Sequence, residues 1–401
     1  MALGSGVVFA SHVGAQTTVI PSVSLSERYD SNVFRTTRSG VPPGRQHWDF
    51  VTSAAAIVDV EDKSRLTDSL LRVGVNGNAY ANNTDLAFVS GSLFASSDMT
   101  RGVSEFVRGL RLRISDSFRY TPETPAFLTG GHPADTADLY TRGIQGFRAN
   151  TYSNILSAYS DYSLSRSFSL STNYSYSIFR TGRIDASVAG SNPVSYFNNT
   201  QHSADIGPTY TFDGGDTLFF KFNYTTGESK PEGPGETRNY VFQSITPEYV
   251  AKSVVPGWTL TISGGASRVE QAGSRIYMSG KLGFATDYDP RTHVAMSVSR
   301  QAIPSFFGTG SSIISNVALF NVRYDFSRLV QLTASVNYAY NEAVPVKTFA
   351  FRTAGGGAAL DYSLTQSTTL SLSQEYAYYE RTGVLPYDRI VTMLTLKTAW
   401  N

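Results

Sequence analysis

Between Leu329 and Asn341 the chain reads LVQLTASVNYAYN, apolar and small polar residues alternating with a period of two. Val330, Leu332, Ala334, Val336, Tyr338 and Tyr340 share one face; Gln331, Thr333, Ser335, Asn337, Ala339 and Asn341 share the other. Successive side chains of a strand point to opposite sides, so the segment has an oily face and a wet face. It holds that pattern for about a dozen residues, roughly twice the usual strand of a soluble sheet. Such alternation predicts an all-β fold, a transmembrane antiparallel up-and-down β-barrel.

The pattern recurs along the chain. Thr18 to Asp30 sets Val23, Leu25 and Tyr29 against Ser22, Ser24, Ser26 and Arg28. Trp48 to Val60 turns Trp48, Phe50, Ala54, Ala56, Val58 and Val60 outward. Alternation and turn signals predict about eighteen strands, with about sixteen as the alternative, because the fourth, sixth and thirteenth are weakly patterned. Compact turns fall around Ser165, at Asp213-Gly214-Gly215-Asp216, around Ser327 and around Gln366. Longer connections lie at the other strand ends, notably Thr121 to Arg148 and Gly182 to Asn199. Short turns at one end and long loops at the other are the asymmetry of outer-membrane barrels, whose short turns face the periplasm. The longest connection is expected to narrow the pore.

Tyrosines follow the first outward apolar residue of several strands at a fixed interval. Phe168 precedes Tyr174 and Tyr176, Leu218 precedes Tyr224, Leu332 precedes Tyr338 and Tyr340, and Leu370 precedes Tyr376 and Tyr378. That interval carries the phenols to the upper edge of the apolar band, where ring and hydroxyl are both satisfied. These seven tyrosines are the expected aromatic girdle. Ile206-Gly207-Pro208-Thr209-Tyr210 and Ile245-Thr246-Pro247-Glu248-Tyr249 share a proline inside a strand. Proline cannot donate to the ladder, so a bulge is expected at Pro208 and at Pro247.

Composition agrees with this picture. The 401 residues include 24 Tyr and 24 Phe, with 16% charged residues and a net charge of +1. Mean hydropathy is only -0.17, and no run approaches the ~18 apolar residues of a membrane helix. A barrel reconciles these values, because lipid-facing and water-facing residues average out along each strand. Cysteine is absent, which removes disulfides and thiolate-metal sites. Near-neutral charge argues against nucleic acid as a partner. Leu3 to Ala10 is a short apolar core and Val13-Gly14-Ala15 offers small residues at cleavage spacing. Residues 1–15 are therefore expected to be the remainder of a signal peptide, and 16–401 the barrel.

Alternation also assigns the lumen. With Leu110, Leu112, Ile114, Phe118 and Tyr120 outward, Arg111, Arg113 and Arg119 point inward. The same parity places Arg72, Lys221, Lys281, Arg323 and Lys397 in the lumen beside Asp59, Asp325 and Glu375. A basic row in a narrow channel attracts anions. The competing expectation is that the arginines pair with loop carboxylates such as Glu123, Asp135 and Asp138. Tyr277, Tyr379, Phe179 and Phe219 also face inward, ready to stack on sugar rings or on an inserted loop.

Ser24-Leu25-Ser26-Glu27-Arg28-Tyr29-Asp30-Ser31-Asn32-Val33-Phe34-Arg35-Thr36, a strand opening into Y-D-S-N-V-F-R, carries a resemblance. It resembles the start of the outer-membrane β-barrel family encoded beside exopolysaccharide-synthesis genes, with a related set in PEP-CTERM/exosortase systems. The repeated I-x-P-x-Y and the hairpin layout are similar too. The resemblance implies an outer-membrane conduit for a secreted polysaccharide, with periplasmic export partners and no catalytic residues. One departure lies at the C-terminus, where Trp400 is penultimate and Asn401 closes the chain. Barrel insertion machinery commonly reads a terminal aromatic, and here the signal is shifted by one.

No catalytic motif is present: H-E-x-x-H, G-x-S-x-G, the P-loop and the dinucleotide fingerprint are all missing. The histidines, His12, His47, His132, His202 and His293, are scattered without metal-ligand spacing. No enzyme, cofactor or metal site is expected. The partners are outer-membrane lipid, the insertion machinery and, through the resemblance, polysaccharide. The leading expectation is a Gram-negative outer-membrane channel for exopolysaccharide export. The alternatives are a general or sugar-selective diffusion porin and a plugged structural or adhesive barrel.

Overall fold

A computed structural model describes residues 16–121, 150–181, 197–231, 236–252, 257–270, 273–304, 312–344 and 350–400. The strands in chain order are β1 Gln16–Asp30, β2 Asp49–Lys63, β3 Asp68–Tyr80, β4 Phe88–Asp98, β5 Leu110–Thr121 and β6 Thr151–Ser163. There follow β7 Phe168–Thr181, β8 Phe197–Thr211, β9 Thr217–Pro231, β10 Arg238–Ala251, β11 Trp258–Glu270 and β12 Ser274–Asp289. The last six are β13 Thr292–Pro304, β14 Ser312–Asp325, β15 Val330–Val344, β16 Ala350–Ser363, β17 Thr368–Arg381 and β18 Val384–Ala399. They form one 18-stranded antiparallel sheet in sequence order, closed by pairing of β1 with β18. The three weakly patterned strands form as β4, β6 and β13, so eighteen is the count and sixteen is not.

Closure removes every sheet edge, and alternation then divides the side chains cleanly. Leu332, Tyr338 and Tyr340 of β15 share one face, and Tyr338 is 43% exposed on the outside of the wall. Asn337, Ala339 and Asn341 between them are buried on the lumen side. Tyr174, Tyr176, Tyr224, Tyr376 and Tyr378 have the same outward parity, so all seven tyrosines lie on the outer face of the wall. A second aromatic row rims the opposite edge, with Tyr210, Trp258 and Trp400 each at least 41% exposed. Two aromatic rims with an apolar band between them are what a bilayer-spanning barrel requires.

Hydroxyls shape the short turns. Ser165, Ser327 and Thr365 each accept from the backbone N–H groups two and three residues on, fixing three hairpins alike. Gly215 at φ 86 makes the fourth. The β4–β5 turn was not foreseen in detail: it holds a short helix, α1 Thr100–Ser104.

The prolines do not make bulges. β7 pairs continuously past Pro208, and on the β9 side the partners resume in unchanged register, Ile206 with Phe222 and Thr209 with Phe219. Pro247 behaves likewise, with unbroken pairing to β9 and a gap toward β11 between Ile245–Ala266 and Glu248–Ser263. The missing N–H opens the ladder on one side without inserting a residue. Glycine fills the gap: a Cβ on Gly207 would strike the Phe220 carbonyl, and one on Gly265 the Ile245 carbonyl. True register shifts occur elsewhere, at Asp287/Asp289 and at Tyr379/Arg381. Gly207→Val is therefore expected to destabilise the barrel by about 1–3 kcal/mol in urea unfolding. Gly264→Val, with nothing within 4 Å of its Cβ, should leave the midpoint unchanged.

Candidate pore and its constriction

The lumen is built from the inward set of side chains, and at its loop end three apolar clusters are buried. Val33 and Phe34, from the β1–β2 connection, are buried against Val51 of β2, Tyr80 of β3 and Leu86. Val51 and Tyr80 are inward residues, so the connection folds into the barrel mouth. Two further clusters line the same level: Tyr240, Phe242 and Val269 with Tyr277, and Ile313, Ala343 and Phe351 with Tyr379. Tyr277 and Tyr379 do face inward as alternation requires, but they pack on these clusters.

The β1–β2 connection is held at its root by two buried carboxylates. Asp30 ends β1 and Asp49 opens β2, directly opposite each other in the register. The Asp30 carboxylate receives both arms of the Arg389 guanidinium from β18, with Arg389 Nε donating to Oδ1 at 2.9 Å. The Asn32 backbone N–H adds a third donor at 3.0 Å. Asp49 accepts from the backbone N–H groups of Phe50, Asn82 and Asn83 and from both side-chain amides, at 2.8–3.1 Å. A buried carboxylate with that many donors is fully satisfied, and it fixes the β3–β4 connection against β2.

Within the segment, Asn32 folds the chain back on itself. Its side-chain amide donates to the carbonyls of Thr36 and Asp388, and its carbonyl accepts from the Thr36 N–H. Arg35 takes the left-handed conformation, φ 52, to complete that turn. His47 lies between the Ser31 carbonyl at 2.7 Å and the Thr36 carbonyl at 3.0 Å. Y-D-S-N-V-F-R is thus the sequence of a connection latched inside the barrel mouth, a role its residue types did not announce. Of the connection Thr121 to Arg148, expected to narrow the pore, residues 122–148 lie outside the described residues, as do residues 1–15; Glu123, Asp135 and Asp138 are among them.

Below the constriction the wall carries charges in matched pairs. Arg72 forks onto Asp59 of the neighbouring strand at 2.6 and 2.8 Å. Lys221 meets Asp205 at 3.0 Å, and Arg113 meets Asp98 at 3.2 Å. Arg323 lies 3.3 Å from Asp325 and 2.9 Å from His293 Nε2. The basic residues have inward parity, and Arg72, Lys221 and Arg113 pair with carboxylates of the adjoining strands, whereas Arg323 pairs with Asp325 of its own strand and with His293 of β13. Of the basic row on β5, Arg113 is thus paired within the wall. Arg111, Lys281 and Lys397 have no ion-pair partner among the described residues, and Arg119 and Glu375 also face inward. Tyr159 of β6 was missed: it points inward opposite Arg113 and is 42% exposed, an open aromatic surface beside an arginine. The weak alternation of its strand hid it. Phe179 and Phe219 have inward parity as well.

Hydroxyls and amides cover the rest of this wall. Asn223 donates to Ser203 and Asp205, Ser203 and Thr225 share a bond, and Asn173 reaches Asp205. The arrangement holds many fixed dipoles and little net charge.

No family model matches the sequence, and no curated protein matches it. Among solved structures the chain is similar to Pseudomonas aeruginosa OccK2 (OpdF) in complex with glucuronate, at 9% identity. The match has a TM-score of 0.50 and covers 96% of this chain and 98% of that one. It is similar also to the apoprotein form of the FrpB iron transporter from Neisseria meningitidis, at 10% identity and TM-score 0.50, over 95% of this chain and 81% of that one. Both likenesses concern the fold alone, a closed antiparallel β-barrel.

Proposed function

We propose that the barrel is a passive outer-membrane diffusion channel for small carbohydrates and similar polyhydroxylated solutes. The observation that carries this reading is the lumen wall below the constriction. Four of its basic groups, Arg72, Arg113, Lys221 and Arg323, are paired in place with Asp59, Asp98, Asp205 and Asp325, and hydroxyls and amides fill the intervals. Fixed donors and acceptors replace the hydration of a sugar hydroxyl, whereas a single-sign field would select on charge. Tyr159 adds a flat apolar surface for a pyranose face. The sugar acid bound by OccK2 supports the solute class. Liposome swelling tests it: reconstituted barrel should admit mono- and disaccharides at rates that fall steeply with size. Absence of swelling with any sugar would rule the channel out.

The charge cancellation has its own test. Asp59→Asn together with Asp205→Asn frees Arg72 and Lys221, and the reversal potential in a salt gradient should move toward anion selectivity. An unchanged potential would show that these pairs do not face the ion path.

Polysaccharide export is the second reading, favoured by the resemblance of residues 24–36. Those residues form the latch, so the resemblance extends to the constriction. Extracellular polysaccharide measured in a deletion strain separates the two: a loss supports export, and unchanged polymer with impaired sugar uptake supports diffusion.

A further inference from the structure

The outer face of the barrel is not uniformly apolar. On β1–β8 polar side chains stand at lipid-facing positions between the two aromatic rims. Glu27, one outward position below Tyr29, accepts from Thr52 at 2.6 Å. Asp116 of β5, paired with Ala95 and Leu156 on the outward face, accepts from Asn154 at 2.7 Å. His202 of β8 receives or gives a hydrogen bond to the Tyr174 hydroxyl at 2.8 Å and lies 4.7 Å from the Tyr176 ring. The opposite wall exposes Met296, Phe320, Val336 and Leu372 at mid-height; its outward polar groups there include the amide of Gln374 and, level with Tyr340, the Arg300–Asn316 pair, neither of them a carboxylate.

A carboxylate in the hydrocarbon layer is unfavourable, and one hydrogen bond from a hydroxyl or amide does not replace its hydration. Two on the same side of one barrel mark a wall that meets protein. The wall also carries its own complement. Carboxylates stand on β1 and β5, and an imidazole and a phenol on β7 and β8. Rotation about an axis normal to the membrane preserves depth. It brings the β1–β2 end of one wall to the β7–β8 end of the next, with Glu27 and His202 both near the inner edge of the upper rim. The outward Ala54, Ala56 and Gly77 leave that stretch shallow enough for close approach.

We infer that this chain associates side by side with further copies of itself through β1–β8, Glu27 and Thr52 of one copy meeting His202 of the next. A lipid layer would add no cation or donor to the single hydrogen bond each carboxylate has within the wall, and an unrelated partner would have to supply what this chain already bears.

The absence of cysteine makes a clean test. Thr52→Cys and His202→Cys in one chain lie six strands apart, roughly 30 Å around the wall at about 4.8 Å per strand. They can join only between copies. Oxidation in the native outer membrane should give a covalent ladder above the monomer on a non-reducing gel. Phe320→Cys with Leu372→Cys, on the apolar wall, should give none. No ladder from the first pair, or equal ladders from both, overturns the inference. Native mass measurement of the unmodified barrel in mild detergent is the second readout: a multiple of the chain mass supports it and a single-chain mass overturns it. Heat-shifted gel mobility shows that each variant is folded.

Discussion

Arg389→Ala should both loosen the barrel and widen its pore. The guanidinium is the counter-ion of Asp30, whose side chain is 1% exposed, and both of its arms are engaged there. Removing it leaves a carboxylate out of water with only the Asn32 N–H and smaller contributions around it. Breaking a buried pair from one side costs about 3–5 kcal/mol. The loss should appear as a lower urea midpoint in detergent. Because Asp30 is the root of the segment carrying Val33 and Phe34, the same change should free the constriction. Single-channel conductance is then expected to rise by about twofold, the lumen of so wide a barrel being otherwise aqueous. Replacing both members, Asp30→Leu with Arg389→Met, should recover most of the stability. Wild-type conductance in Arg389→Ala would show that the latch does not hold the narrow point.

Asp49→Ala should act through the other root. Five N–H groups converge on that carboxylate, four of them from Asn82 and Asn83. Truncation strands buried donors at about 1–3 kcal/mol each, offset by whatever water enters from the mouth. A net loss of about 3 kcal/mol or more is expected. The β3–β4 connection should detach, carrying Leu86 away from Val33 and Phe34, and hydrogen exchange across residues 81–87 should quicken by orders of magnitude. Asp49→Asn is the sharper comparison. It keeps the shape but turns one acceptor into a donor facing donors, so it should fall nearer to alanine than to the wild type. If Asp49→Asn proves as stable as the native chain, the donors are not anchored by charge.

Much of the architecture was legible because a barrel wall obeys one rule. Each strand is one residue thick, so parity alone decides what meets lipid and what meets the lumen. The strand register accordingly gives the seven tyrosines one parity and the residues assigned to the lumen the other. The interior of the mouth obeys no such rule. Which carboxylate meets Arg72 depends on the register of β2 against β3, and that Val33 is buried depends on a connection with no periodicity. Pro208 and Pro247 show the limit from another side. A missing donor announces a break in the ladder, but whether a residue is inserted depends on the glycine available across the gap. Tyr159 was hidden because β6 alternates weakly, with Ile155 inward and Asn154 outward.

Asp30 and Arg389 are separated by 359 positions in the chain, and β1 pairs with β18 over a shorter stretch than with β2. Beyond Asp30 the join is continued by Ser31 and Asn32, which bond to the backbone of Ile390 and Asp388. None of these bonds can form until the final strand has arrived beside the first. Val33 and Phe34 can meet Val51 and Tyr80 once β3 is in place, but fastening their connection across the seam is the terminal event of assembly. An intermediate stalled before that step would betray itself as an unusually leaky cell envelope.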